Sequence, residues 1–316
     1  MTYQKLNGLV AATYTPFDSG GTLNLAAVQK QAEHLLRSGV DAVFIGGTTG
    51  ESHSLSLEER LALARRWAEV LRGSAMRLVV HVGSNCLADA CALAAQAQKL
   101  GAAAISALAP SYFKPRSLEL LIACCAEIAG AAPQLPFYFY DIPSMTGVQF
   151  SMPEFLAAAP GAVPTLAGVK FTNSDLKAYQ QCLVAEGGRF DVLWGTDEYL
   201  LAALILGGAG AVGSSYNFAA PIYRRMIDAL RRGDLNAARA EQYRSVQLID
   251  LLGGFGYMAA AKATMGFLGV DVGPARLPNA NLDAAQSARL REALEKLGFF
   301  DWVRKQGDFQ NQAGSW

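Results

Sequence analysis

Charged side chains are scarce in this 316-residue chain, where Asp, Glu, Lys and Arg together make up 17%. Lys plus Arg and Asp plus Glu number 27 each, so the formal net charge is zero. No basic field exists to hold a phosphate backbone or an anionic lipid surface, which argues against nucleic-acid and membrane partners. Histidine is rarer still. His34, His53 and His81 are dispersed, with no His or Cys partner at ligand spacing, so no metal site is expected. The five cysteines (86, 91, 124, 125 and 182) form an odd set without CxxC spacing, and all but Cys86 sit in Ala/Leu-rich, helix-like sequence. They are expected to be reduced core residues of a cytosolic protein. No uninterrupted apolar stretch reaches the roughly 18 residues of a membrane span. The opening segment MTYQKLNGLVAATYTPF lacks a charged region ahead of a long apolar one. A cytoplasmic protein is therefore expected.

What the chain has in quantity is apolar side chains, at 52%, and 31 glycines. That composition excludes disorder as the main state and suits one large domain or two ordinary ones. Short apolar runs rich in β-branched residues end near Ala12, Ile45, Val82, Leu108, Tyr140, Lys170, Trp194 and Val212. Each is followed by Gly, Thr, Pro or Asn and then by a longer segment of helical period, such as Leu57 to Leu71 or Leu118 to Ile128. Ala88 to Ala97 also has helix-forming composition. Eight alternating units predict an α/β fold, a (β/α)8 TIM barrel of about 230 residues. An open doubly wound sheet is the competitor, although it more often has five or six strands. After Pro221 the strand runs stop, and helices are predicted over Ile222 to Arg232, Leu235 to Leu252, Met258 to Leu268 and Leu282 to Leu297. The expected organisation is a catalytic barrel over residues 1–230 and a C-terminal helical extension over 231–316. The polar tail from Gln306 to Ser315 is expected to be mobile.

In such a barrel the active site lies at the C-terminal ends of the strands, so polar residues closing apolar runs are the candidates. Lys170 closes Leu166-Ala167-Gly168-Val169-Lys170, whereas most other lysines lie in helical or terminal segments. An amine in a barrel mouth is desolvated, which favours the neutral form that attacks a carbonyl. Two readings stay open at this point: a Schiff-base lysine, or a lysine paired with an acid. One unit earlier, Tyr140 ends Phe137-Tyr138-Phe139-Tyr140, where its phenol could move a proton. Tyr138 reads as core, and Asp141 as a turn residue before Ile142-Pro143 or a base. The segment Gly46-Gly47-Thr48-Thr49-Gly50-Glu51 offers backbone N–H groups and two hydroxyls to a carboxylate or phosphate, or is a plain turn. It lacks the Gly-Lys-Ser/Thr ending of a P-loop. Gly195-Thr196-Asp197-Glu198 and Gly213-Ser214 follow the last two strands. Their acids either complement a helix dipole or accept hydrogen bonds from a polyhydroxylated substrate.

Taken in order, Thr15-Pro16-Phe17, Gly47-Thr48-Thr49-Gly50-Glu51, Tyr140 with Ile142-Pro143 and Thr146-Gly147, Gly168-Val169-Lys170 and Gly213-Ser214 resemble the dihydrodipicolinate synthase and N-acetylneuraminate lyase family of pyruvate-dependent class I aldolases. The resemblance spans essentially the whole chain. It implies that Lys170 forms a Schiff base with a 2-oxo acid, that Tyr140 relays protons, and that Thr48 and Thr49 hold the carboxylate. It also implies a homotetramer and no cofactor. Within the family, Ser54-Leu55-Ser56, Ile142-Pro143-Ser144-Met145-Thr146-Gly147-Val148, Lys170-Phe171-Thr172 and Gly195-Thr196-Asp197-Glu198 are most similar to the lyase branch, especially its animal members. That likeness implies cleavage of the sialic acid N-acetylneuraminate to N-acetylmannosamine and pyruvate. Asp197 and Glu198 would bind the glycerol-like tail, and Thr172, Gly195 and Ser214 would make further sugar contacts. Met145 stands where the synthases carry an arginine, so their aspartate-semialdehyde substrate loses its anchor. Asp141 stands where the lyases usually have Asn or His, and Tyr112 matches an aromatic that many members send into a neighbouring subunit's site. Rival readings are an aldolase or dehydratase of the same fold acting on a 2-oxo-3-deoxy sugar acid, or a non-catalytic binding protein.

Overall fold

In the computed structural model, which describes residues 4–304, eight parallel strands close into a barrel in sequence order, each hydrogen-bonded to its neighbours. The first half runs β1 (Gly8–Ala12), α1 (Ala27–Arg37), β2 (Ala42–Ile45), α2 (Leu57–Val70), β3 (Arg77–His81), α3 (Leu87–Lys99), β4 (Ala104–Leu108) and α4 (Leu118–Gly130). The second half runs β5 (Phe137–Asp141), α5 (Pro143–Thr146), α6 (Met152–Ala158), β6 (Leu166–Phe171), α7 (Leu176–Val184), β7 (Asp191–Trp194), α8 (Leu200–Ile205), β8 (Gly210–Gly213) and α9 (Tyr216–Arg231). Then come α10 (Leu235–Gly254), α11 (Tyr257–Phe267), α12 (Ala284–Leu297) and α13 (Phe299–Arg304). The expected (β/α)8 barrel with C-terminal helices is thus the observed architecture. The tail expected to be mobile, Gln306 to Ser315, lies outside the described residues.

Strand alternation sorts the apolar residues into two clusters. Val10, Ala12, Phe44, Val79, Leu108, Tyr138, Tyr140, Leu193 and Val212 fill the inside of the barrel. Leu9, Val43, Ile45, Val80, Phe139, Val169 and Phe171 point outward and pack under the helices. This is the period-2 pattern of strands buried on both faces. Tyr138 belongs to the inner core as read, and its hydroxyl donates to the buried Asp191 at 2.8 Å. Amphipathic helices close the outer layer, and α2 starts with a reciprocal cap between Ser56 and Glu59.

Two expectations need correction. The helix expected from Ile222 begins at Tyr216, with Pro221 inside it and a kink at Ala219 (φ −128°, ψ 15°). Proline has no N–H to give the Asn217 carbonyl four residues earlier. His34 Nε2 donates to that carbonyl instead, at 2.9 Å, which lets the helix run through the proline. The cysteines are not all core residues. Cys125 and Cys182 are buried, but Cys91 and Cys124 are half-buried and Cys86 is exposed; all five are free. Their helices are amphipathic, and helical composition alone does not say which face a residue takes.

The last four helices share the outer core with the barrel, to which Leu248, Leu252, Met265, Leu290, Leu294 and Phe299 all contribute. Helix α10 packs along α9. Glu241 accepts from Arg225 at 3.0 and 2.9 Å and from Arg244 at 2.6 Å. Arg225 also reaches the Trp302 carbonyl at 2.9 Å, tying in α13.

Candidate active site

Lys170 sits at the C-terminal end of β6 because Gly168, two residues earlier on the same inward-facing row, can lie against the neighbouring strand. A Cβ on Gly168 would fall 1.7 Å from the Asp191 carbonyl oxygen. Registry pairs Lys170 directly with Tyr140 on β5. The lysine side chain is buried, with Nζ 3.8 Å from the centre of the Tyr140 ring and 4.3 Å from that of Phe44. Two aromatic faces thus hold the amine. Tyr140 is braced in turn by edge contacts from Phe44 and His81, both at 5.8 Å between ring centres. Its hydroxyl meets Thr48 Oγ1 at 3.3 Å.

His81 closes β3 with Nδ1 2.8 Å from the Gly46 carbonyl. Burial, helped by the Arg60 charge, holds its pKa well below the usual imidazole range. The ring is therefore neutral, with Nδ1–H donating. Its position at the end of the apolar run Arg-Leu-Val-Val-His is the very signal that selected Lys170. Considered only as a metal ligand, it was missed.

Above Lys170 opens a cavity of about 660 Å³. Thr48, Thr49, Tyr140, Lys170, Thr172, Gly195, Asp197, Glu198 and Ser214 all line it. Of the residues expected at the site, only Tyr112 lies elsewhere. It stands 79% exposed and packs edge-on against Phe113, itself 85% exposed. Gly195 is demanded by Thr172, whose Oγ1 would lie 1.9 Å from an added Cβ. Asp197 is buried, and its Oδ2 accepts from the Ser215 backbone N–H at 3.0 Å and from Ser215 Oγ. Burial raises its pKa, opposed by the Ser215 hydrogen bonds and the Lys170 charge. Burial also raises Glu198, which the Asp197 and Asp250 charges push further. Asp141, in contrast, points away from the cavity as part of β5 and accepts from Asn173 Nδ2 at 3.3 Å. Burial lifts its carboxyl to about 6. It is a strand residue holding the segment after β6, not the turn residue expected.

The site also draws on residues that sequence reasoning did not select. Asn173, Ser174 and Gln149 line the cavity, as do Ile249, Tyr257 and Met258 from α10 and α11. Tyr257 Oη is 2.7 Å from Ser214 Oγ. Burial and the Asp197 charge raise this phenol above its ordinary range. The only local hint was Gly253-Gly254-Phe255-Gly256, a break that re-aims the chain just before Tyr257. The Thr48–Thr49 loop ends at Glu51, whose backbone is left-handed (φ 54°, ψ 37°). That conformation costs a side-chain-bearing residue about 1–2 kcal/mol.

This arrangement is one of amine, phenol and hydroxyl around an apolar floor, with two carboxyl groups following β7, the strand next to that of Lys170. Among the described residues no group of three or more His, Cys, Asp or Glu is placed to hold a metal ion. The chain is 38% identical to mouse N-acetylneuraminate lyase over 300 residues, covering 94% of each protein. It is 40% identical to Xenopus laevis N-acetylneuraminate lyase A, covering 87% of this chain and 91% of that one. The solved N-acetylneuraminate lyase (sialic acid aldolase) of Aliivibrio salmonicida superposes with a TM-score of 0.91 at 40% identity, over 94% of this chain and 98% of the other. With residues 5–297 also matching its family signature, the chain belongs to the dihydrodipicolinate synthetase family.

Proposed function

We propose that this enzyme cleaves N-acetylneuraminate reversibly to N-acetylmannosamine and pyruvate, as a class I, Schiff-base aldolase. The observation that carries the reading is the seating of the Lys170 amine against Tyr140, at the floor of a cavity that also holds Thr48, Thr49, Asp197 and Glu198. Relatives named N-acetylneuraminate lyase at 37–40% identity support the choice of substrate. Lys170 Nζ attacks the ketone carbon of the open-chain sugar acid, and loss of water leaves a protonated imine. The C4 hydroxyl gives up its proton to a relay through Tyr140, the C3–C4 bond breaks to leave C4 as the aldehyde of the released sugar, and the bond's electrons enter the imine to give an enamine. Protonation at C3 and hydrolysis then release pyruvate. The imine is itself the electron sink, so this route calls for no metal or other cofactor.

Thr48 and Thr49 hold the substrate carboxylate in this reading. Asp197, Glu198, Thr172, Gly195 and Ser214 recognise the polyhydroxylated remainder by directional hydrogen bonds. Met145 is 64% exposed and carries no charge, which disfavours a semialdehyde carboxylate as the second substrate. The exposed Tyr112–Phe113 pair suits a homotetramer in which Tyr112 completes a neighbouring subunit's site. The chain is proposed to work in the cytoplasm; no described helix is long and apolar enough to cross a membrane.

The test is pyruvate release from N-acetylneuraminate in a coupled assay, beside several 2-oxo-3-deoxy sugar acids and a Lys170→Ala control. Selective release from N-acetylneuraminate that vanishes in the control is expected. Release from another acid alone would keep the aldol chemistry and overturn the substrate.

A further inference from the structure

A second buried lysine lies near the mouth of the barrel, unused by the chemistry above. Lys262 Nζ donates to Glu51 Oε1 at 2.9 Å, to the Thr15 carbonyl at 3.0 Å and to the Pro274 carbonyl at 2.7 Å. All three ammonium protons therefore have acceptors. Glu51 Oε2 accepts from the Arg276 backbone N–H at 2.8 Å. The two side chains are 2% and 1% exposed. A pair this dry gains little over apolar groups of the same volume, so stability alone does not account for it.

Both ends of the bridge are carried on elements that contribute to the cavity walls. Glu51 closes the loop that presents Thr48 and Thr49, and its N–H donates to the Thr48 carbonyl at 3.0 Å. Thr15 Oγ1 holds the same loop through the Gly50 carbonyl at 2.6 Å. Lys262 stands one helical turn past Met258 on α11, whose first two residues, Tyr257 and Met258, line the cavity. Neither Glu51 nor Lys262 lines it. The left-handed backbone at Glu51 persists only where its surroundings over-determine it, and the bridge does so from the side-chain end.

We propose that Glu51 and Lys262 are positioning residues whose buried bridge sets the Thr48–Thr49 loop against the C-terminal helices, and so governs the grip on the substrate carboxylate. This inference rests on the aldolase reading. Loosening the loop weakens carboxylate binding more than the chemistry at Lys170, because the amine is carried on another strand. A displacement of about 1 Å is enough to cost tenfold or more.

The experiment uses full-length protein with Glu51→Gln, Lys262→Met and the double variant. Borohydride trapping of the Lys170 imine is titrated with pyruvate and with its neutral analogue pyruvamide, and adducts are read by mass. The expected result is a half-saturating pyruvate concentration raised about tenfold, with that for pyruvamide little changed. KM for N-acetylneuraminate should rise more than kcat falls, and the double variant should match the worse single one. Equal shifts for both ligands, or a loss of thermal stability with an unchanged pyruvate titration, overturn the proposal. Should Glu51→Gln not fold, Glu51→Asp keeps the charge but shortens the reach. A raised pyruvate requirement then supports the bridge, and wild-type behaviour overturns it. An unmodified protein that pyruvate never traps overturns the aldolase reading and the bridge together, whereas a trapped wild type with unaffected variants overturns the bridge alone.

Discussion

Asp141 is ionised at neutral pH in a place that disfavours its charge. Burial lifts its carboxyl from 3.8 to about 6, and the Asn173 amide only partly offsets this. Between pH 4 and 6 the folded chain holds this proton while the unfolded chain has released it, so stability falls as pH rises through that window. The shift of about two units corresponds to roughly 3 kcal/mol, to order of magnitude. Asp141→Asn keeps an acceptor for Asn173 and removes the penalty. It should stabilise the protein by about 1–3 kcal/mol at pH 7, with the gain gone below about pH 4. Urea melts of the two proteins at pH 4 and 7 check this, and a pH-independent difference would count against it. Sequence alone reached Lys170 and Tyr140 because both close apolar runs. It did not reach the environment of Asp141, since that depends on Asn173 after β6 and on the packing of α7, whose Tyr179 meets Phe171 and Trp194.

Strand β6 shows how one small residue places a catalytic candidate. With Gly168 replaced by Ala, the new Cβ would overlap the Asp191 carbonyl at 1.7 Å, and backbone cannot yield as a flexible side chain can. Gly168→Ala should therefore cost at least about 2 kcal/mol and shift Lys170. By contrast, Gly253 near the end of α10 has nothing within 4 Å of such a Cβ. There the change to Ala should stabilise by about 0.5 kcal/mol through the helix backbone alone. Thermal melts with borohydride trapping separate the two cases. The strands were readable because parallel strands buried on both faces form near-continuous apolar runs. The start of α9 was not, because His34, 183 residues from Asn217 in sequence, supplies the hydrogen-bond partner that its proline leaves missing.

The C-terminal helices share one apolar core with the barrel. Leu248, Leu252, Met265, Leu290 and Leu294 bury their side chains in the shared outer core. At roughly 2 kcal/mol each they contribute about 10 kcal/mol, comparable to the whole stability of a typical domain. A chain cut after Gly233 should not fold into a stable barrel, nor form an adduct with pyruvate. A cooperative melt with trapping intact would show that the barrel stands alone.

The sequence by itself determined the alternation of strands and helices, the count of eight units, and which polar residues end the strands. These follow from local periodicity and from the rule that barrel sites lie at strand ends. Only the tertiary structure decided that Tyr257 and Met258 complete the cavity, that His81 and Phe44 brace Tyr140, and that Lys262 meets Glu51 across 211 residues. Periodicity assigns a residue to a face. Which distant group that face meets depends on the packing of the entire chain.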